Sequence, residues 1–150
     1  MANMNKTAIS TLNSLIETCN DGAQGFQTAA EGIQDLSIRE LFNSYARQRR
    51  EFAEQLRAEV RRLGGTPDEG GSVSGSVHRG WMNLKAAIAG KTDSAIISEA
   101  ERGEDIAVAA YQQAMSGSLP AEVDAIVRSQ FSDVKAAHDR VRALELTHSR

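Results

Sequence analysis

Two glutamates that could bind a cation lie in the stretch EAERGEDIAVAAY, which spans residues 99–111. If this stretch is a helix, Glu104 shares one stripe with the small and apolar residues Ala100, Ala107, Val108 and Tyr111, and Glu101 lies beside it. Carboxylates on a core-facing stripe must either bind something inside the protein or be paired there. The stretch therefore predicts either a ligand site or an internal network of ion pairs.

An imidazole is available on the helix that is expected to follow. The apolar stripe predicted for residues 120–146 includes His138. The facing helices of a hairpin pair their positions by reflection about the connection, and a connection at 117–119 sets Glu101 and Glu104 roughly level with residues 132–138. His138 should then approach one of the two glutamates. Two carboxylates and one imidazole predict a half-site for iron, manganese or zinc.

Acids on the first two predicted helices could complete such a site. Reflection about residues 35–37 sets Asp21 opposite Glu51. Asp21 falls at the edge of its apolar stripe, so the prediction for this hairpin is weaker. Either acid is a candidate further ligand.

A dinuclear centre of the ferritin type needs a Glu-x-x-His motif on each of two helices. The second helix instead has Glu51-x-x-Glu54, and the fourth has Lys135-x-x-His138. A lysine ammonium repels a cation and could neutralise an acid of the third long helix. The sequence thus favours an internal salt-bridge network or a single metal over two metals. The candidate basic partners are Arg47, Arg49, Arg50 and Lys135.

Four long amphipathic helices are expected to carry these residues, and no strand pattern is visible. Apolar residues recur every three or four positions along each of them. The predicted ranges are 5–33, 37–63, 93–116 and 120–146. Ser37 with Glu40 predicts a capping box at the start of the second helix.

The connection between the second and third long helices is the longest in the chain. Residues 64–76 are rich in Gly and Ser, and residues 77–89 predict a short helix that Trp81 anchors on the bundle. This arrangement predicts an all-α fold, a ferritin-like antiparallel four-helix bundle with a short extra helix in the crossover between helices 2 and 3. At 150 residues the chain is expected to form one domain, residues 1–150.

Composition and charge argue against some classes of function and indicate a location. A net charge of −3 gives no general attraction to nucleic acid or to an anionic membrane. The arginine-rich stretch of the second helix alternates with acids and is expected to be a solvated face. Without a signal peptide or a long apolar run, the protein is expected in the cytoplasm. Cys19, the single cysteine, is predicted to be a small buried hydrophobe.

Four short motifs carry a resemblance to a known family. They are DGAQGF from Asp21, HRGW from His78, ERGED from Glu101 and HDRVR from His138. In order and spacing they resemble an uncharacterised bacterial family of ferritin-like four-helix-bundle proteins with a domain of unknown function. The resemblance implies the fold and no particular activity. More distantly, the chain is similar to rubrerythrin-like proteins, which implies Glu101, Glu104 and His138 as metal ligands.

Three hypotheses follow. The first is a small ferritin-like bundle, expected to be a homodimer, with an incomplete carboxylate and histidine metal site and a role in stress response or metal handling. Its cofactor would be iron, manganese or zinc. The second is a non-enzymatic structural or interaction module whose inner polar residues are structural and bind no cofactor. The third is a di-iron oxidase.

Overall fold

The computed structural model describes residues 2–68, 81, 83–90 and 92–148. Every regular element within these ranges is a helix. They are α1 (Ala2–Gly32), α2 (Leu36–Arg62), α3 (Leu84–Ala89), α4 (Asp93–Ser116) and α5 (Ala121–His148). The predicted all-α, four-helix class is confirmed. Most of the Gly- and Ser-rich connection lies outside the described residues, and so does the first part of the short helix predicted at 77–89, with His78 and Arg79.

The helix ends follow local capping, and the N-cap predicted for α2 is wrong. The N-cap of α2 is Asp35 rather than Ser37, because the Asp35 carboxylate accepts hydrogen bonds from the backbone N–H groups of Ser37 (2.9 Å) and Ile38 (3.2 Å). The N-cap of α4 is Thr92, so this helix begins at Asp93, the first residue of its predicted range. At the other end of α2, Gly64 has a φ of 87°, the left-handed conformation that terminates the helix as expected.

The crossover brings the chain back to the end of the bundle at which α2 begins, so α2 and α4 start at the same end. The carboxylate of Asp93, in the first turn of α4, accepts hydrogen bonds from the backbone N–H groups of Gln34 (2.8 Å) and Asp35 (3.0 Å) in the turn between α1 and α2. Helix α5 then runs antiparallel to α4. The bundle has α1 packed against α2 and α4, with α4 packed against α5. Among these neighbouring long helices, α2 and α5 form the loosest pair.

The core consists of two apolar clusters with a polar layer between them. One cluster surrounds Leu12, Leu56 and Tyr111, and the other surrounds Phe26 and Ile96. Along α2 the buried Arg49 separates them, and along α4 the buried Glu104 does so. The two residues face each other across the bundle and form one ion pair. The carboxylate in the core-facing stripe of α4 thus has a basic partner inside the protein.

Trp81 anchors the crossover on the bundle, as the sequence predicts. Its side chain is buried, and its ring lies edge-on to the Phe26 ring with 5.1 Å between centroids. Two glycines make room for the indole, since a Cβ at Gly25 or at Gly103 would lie 2.3 Å from ring atoms of Trp81. These glycines therefore allow Trp81 of the crossover to pack closely against α1 and α4. The short α3 begins just after Trp81.

Candidate metal centre

A carboxylate and histidine cluster lies at the edge of the α4–α5 pair. Helix α4 contributes Glu101 and Asp105, which are four residues apart and share a face, and α5 contributes His138. The Nε2 atom of His138 is 2.6 Å from Oδ1 of Asp105 and 3.9 Å from Oε2 of Glu101. One ligand atom from each residue lies within 4.8 Å of the other two. These atoms could converge on one cation.

The other nitrogen of the imidazole is held by a further carboxylate. Nδ1 of His138 lies 3.0 Å from Oδ1 of Asp139, and the Asp139 carboxylate accepts hydrogen bonds of 2.7 and 2.9 Å from Nζ of Lys135. Nε2 faces the two α4 acids and shares a proton with Oδ1 of Asp105 at 2.6 Å. If Nδ1 donates to Asp139, a cation could replace the proton on Nε2, which is the arrangement found in metal-binding histidines. Lys135 pairs with Asp139 one turn along α5, so the prediction that it neutralises Glu101 or Glu104 is wrong.

Negative charge dominates the cluster. The pKa of Glu101 is raised above its ordinary value, first by partial burial and then by the neighbouring charges of Asp105 and Glu145. Burial lowers the pKa of His138, but the hydrogen bonds to Asp139 and Asp105 outweigh it, and the net shift is upward. The contribution of Asp105 and Glu145 to the Glu101 shift, and the net upward shift of His138, both reflect acidic neighbours that stabilise positive charge at the site. A bound cation would supply that charge permanently.

The predicted ligand Glu104 lies in the interior and has another partner. Its two carboxylate oxygens accept hydrogen bonds of 2.7 and 2.5 Å from Nη1 and Nη2 of Arg49. The two side chains are 0% and 1% exposed. Gly22 leaves space for the guanidinium, because a Cβ there would lie 3.1 Å from Nη1 of Arg49, and the Phe26 ring centroid is 5.5 Å from Cζ of Arg49.

The two candidate acids of the first hairpin lie apart from His138. Asp21 is buried on α1, where it lines a small cavity with Trp81 and Gly103. Glu51 is exposed on α2. Among the residues that the structure describes, neither Asp21, Glu51 nor Glu104 belongs to a cluster of three metal-ligating side chains, whereas Glu101 and His138 do.

Asp105 is the cluster residue that the sequence argument did not select. Glu104 and Asp105 lie at nearly the same height on α4, but one residue rotates the side chain by about 100° around a helix. That rotation turns Glu104 toward the bundle axis and Asp105 toward the α5 edge. The sequence contained a signal for Asp105. It follows Glu101 by four residues, and this spacing makes two side chains neighbours on a helix just as the three-residue spacing of Glu104 does.

Glu99 is a buried acid of α4 that was also not selected from the sequence. Its carboxylate accepts a hydrogen bond of 2.8 Å from the backbone N–H of Asn83 and lies 3.2 Å from Nη1 of Arg102. It therefore holds the start of α3 against α4. This structural role accounts for the third glutamate of the segment 99–111 without a ligand.

The long crossover and the antiparallel helix pairs define a ferritin-like helical bundle. A solved structure of a point mutant of Dps1 from Mycobacterium smegmatis superposes with a TM-score of 0.79 at 11% sequence identity, covering 97% of this chain and 99% of that one. At that identity the likeness concerns the fold. The chain belongs to the family described as a domain of unknown function, DUF2383, whose model matches residues 7–117.

The family match covers α4 but stops before α5. It includes Glu101, Glu104 and Asp105 and leaves out His138. No curated protein matches the chain. The expected membership of an uncharacterised ferritin-like family is confirmed, while the more distant similarity to rubrerythrin-like proteins stays a prediction. Among the described residues, no helix is long and apolar enough to cross a membrane.

Proposed function

We propose that this protein binds one divalent transition-metal ion at the edge of the α4–α5 pair, through Glu101, Asp105 and His138. The observation that carries the proposal is the convergence of three ligand atoms within 4.8 Å, two of them oxygens and one an imidazole nitrogen. Such a mixed donor set suits zinc, manganese or iron, whereas calcium and magnesium prefer oxygen alone. Metal handling, in ordinary growth or under stress, is the role that we propose for it.

The surrounding residues support a metal site beyond the three ligands. Asp139 fixes the imidazole so that Nε2 faces the site, and Lys135 in turn holds Asp139. Arg142 approaches Oε2 of Glu101 to 3.8 Å from the solvent side. Because Arg142 is mostly exposed, it could move away when a cation neutralises Glu101. Three protein ligands leave the remaining coordination positions to water or to a small substrate.

The interior of the bundle does not fit a second metal or a dinuclear centre. The place where an inner acid could serve as a ligand holds the Arg49 guanidinium, which is buried and bound to both oxygens of Glu104. A cation there would have to displace a positive charge that has no route to solvent. We therefore do not propose a di-iron oxidase.

The same ion pair supports a second candidate function. A buried, fully paired polar layer between two apolar clusters is what a structural or interaction module would need to fix its packing. In that case Glu101, Asp105 and His138 would form a surface hydrogen-bond network without a ligand. The two candidates differ in one measurable property, which is metal binding at the α4–α5 edge.

The decisive experiment is calorimetric titration of the metal-free protein with Zn²⁺ and with Mn²⁺. We expect one site per chain. His138→Gln and Asp105→Asn should each weaken binding at least tenfold, and Asp139→Asn should weaken it about tenfold through the imidazole orientation. The matched controls are His148→Gln and Asp124→Asn, which alter the same residue types on α5 outside the cluster. Glu51→Gln should also leave the affinity unchanged.

Two results would contradict the proposal. One is a wild-type chain that takes up neither metal at millimolar concentration. The other is binding that the cluster variants do not change, which would place the metal elsewhere. Thermal unfolding of the variants checks that they fold. The expected homodimer and cytoplasmic location are further proposals, and sedimentation of the metal-free and metal-loaded protein tests the first of them.

A further inference from the structure

A groove of about 620 Å³ separates α2 from α5, on the side of the bundle where these helices approach each other least. Its lining from α2 includes Ile38, Leu41 and Arg47, and its lining from α5 includes Arg140 and Leu144. Apolar side chains therefore line one part of the groove and guanidinium groups another. Neither the metal proposal nor the fold accounts for this arrangement.

The two arginines lie level with each other across the groove. The Gln130 side chain donates a 2.8 Å hydrogen bond to Oε1 of Gln55, which fixes the register of α5 against α2. Arg140 is ten residues beyond Gln130, and Arg47 is eight residues before Gln55. Because the helices are antiparallel, the two positions differ in height by roughly 3 Å. Their guanidinium groups could reach one anion together.

Both arginines are available to a ligand. Each is exposed, and within the described part of the chain neither forms a salt bridge, in contrast to Arg49, Arg57 and Arg62. The acid that also lines the groove, Glu40, lies seven residues before Arg47 on α2, about 10 Å along the helix. Two planar guanidinium groups suit the oxygens of a phosphate or carboxylate group.

The apolar part of the groove continues toward the end of the bundle. Leu41 and Leu144 lie beyond the arginines, and Ile38 follows. Leu36 and Leu146, near the ends of α2 and α5, are 68% and 63% exposed. A ligand with an anionic head between the arginines could therefore lay an apolar tail along these residues.

We propose that the groove between α2 and α5 binds a small amphipathic anion, its phosphate or carboxylate head held by Arg47 and Arg140 and its apolar tail lying along Leu41 and Leu144. The site is independent of the metal cluster. Arg140 follows His138 by two residues, which is about 200° around α5, so the two sites lie on different faces of that helix.

Isothermal titration with three probes tests the proposal. Octyl phosphate, below its critical micelle concentration, supplies head and tail, inorganic phosphate supplies the head, and 1-octanol supplies the tail. We expect octyl phosphate to bind one per chain and more tightly than either part. The same titration with octanoate distinguishes a phosphate from a carboxylate preference.

Variants assign the binding to the groove. Arg47→Ala and Arg140→Ala should each weaken octyl phosphate binding about tenfold or more, because each removes a charge-assisted hydrogen bond. Leu144→Ala, or Leu41→Ala if that variant unfolds, should weaken octyl phosphate binding without changing phosphate binding. Arg61→Ala, which removes an exposed arginine of α2 outside the groove, is the matched control and should have no effect.

Three outcomes would overturn the proposal. Octyl phosphate binding that survives both arginine substitutions would place the ligand elsewhere. Binding only to vesicles that contain anionic lipid, with none to monomeric octyl phosphate, would make the groove a membrane contact. The third outcome is a chain that does not bind octyl phosphate but self-associates, with Leu41→Ala and Leu144→Ala abolishing the self-association. This result would assign the groove to a second copy of the chain.

Discussion

The buried ion pair between Arg49 and Glu104 provides the sharpest test of how this bundle is held together. Glu104→Gln keeps the shape of the side chain but removes its charge, and it leaves the guanidinium of Arg49 without a counter-ion. Both side chains are almost fully shielded from water, at 1% and 0% exposed. Burial alone lowers the pKa of Arg49, but the charge of Glu104 and its hydrogen bonds together outweigh burial, and the net shift is upward.

The magnitude follows from that burial. Breaking a buried pair by removing one partner costs about 3–5 kcal/mol, because an uncompensated charge remains inside. Solvent screening does not reduce this figure at so buried a site. Since Glu104→Gln retains one acceptor oxygen, we expect the lower end, about 3 kcal/mol. For a chain of this length the melting temperature should fall by about 10 °C.

The double variant Arg49→Met/Glu104→Leu separates the charge from the packing. Replacing a whole buried ion pair by apolar groups is often neutral or stabilising. The double variant should therefore be more stable than Glu104→Gln. In a double-mutant cycle with the single variants Arg49→Met and Glu104→Leu, the two positions should show a large coupling free energy. Urea unfolding followed by far-ultraviolet circular dichroism measures each free energy. Glu51→Gln, on the exposed side of α2, is the control and should change stability by less than about 0.5 kcal/mol.

Two results would refute this reasoning. A loss below about 1 kcal/mol in Glu104→Gln would mean that Arg49 finds water or another acid when its partner is neutral. Additive effects in the cycle would mean that the two residues do not depend on each other. Either result would remove the reason for regarding the inner acid of α4 as structural.

Three further predictions concern pH, thiol chemistry and packing. The raised pKa of His138 means that its charged form stabilises the fold fully below about pH 6.5. That contribution is lost as pH rises through the raised pKa, which an NMR titration of the imidazole should locate above 6.5. Burial raises the pKa of Cys19 to about 11, so an aromatic disulfide reagent should label it only at the rate of unfolding; rapid labelling of native protein would contradict this. Gly103→Ala should lose about 1–3 kcal/mol in urea unfolding because its Cβ would lie 2.3 Å from the Trp81 ring. Gly117→Ala should not, because its Cβ would make only an ordinary contact of 3.6 Å with the Ala114 carbonyl.

The helices could be predicted from the sequence because apolar spacing reports directly on which face is buried. The end of α2 could be predicted because glycine readily adopts the left-handed conformation that Gly64 has. The anchoring of the crossover could be predicted because Trp81 is a large apolar side chain in an otherwise polar connection. The start of α2 was harder, because Asp35 and Ser37 are equally good N-caps in isolation. The tertiary hydrogen bonds from the turn to Asp93 are not visible in a local pattern.

The candidate site was harder to predict than the fold. Reflection about a hairpin loop gives the height of a residue, and it correctly set the acids of α4 near His138. It does not give the direction of a side chain to better than the roughly 100° between successive residues. That angle decides whether Glu104 or Asp105 meets the imidazole, and it depends on how α4 is rotated against three neighbours.

The rotation of α4 has its own physical cause. Gly103 and Ala107 lie on the buried face of α4 with Glu104. Trp81 packs so closely on Gly103 that a Cβ there would lie 2.3 Å from its ring, so a residue with a side chain does not fit at this point of the helix. Once Gly103 faces the indole, Glu104 must enter the core, where only a paired carboxylate is tolerated. Arg49 meets that requirement, and Asp105 is left at the α5 edge. The packing of one tryptophan thus separates the structural acid Glu104 from Glu101 and Asp105, the two acids that we propose as metal ligands.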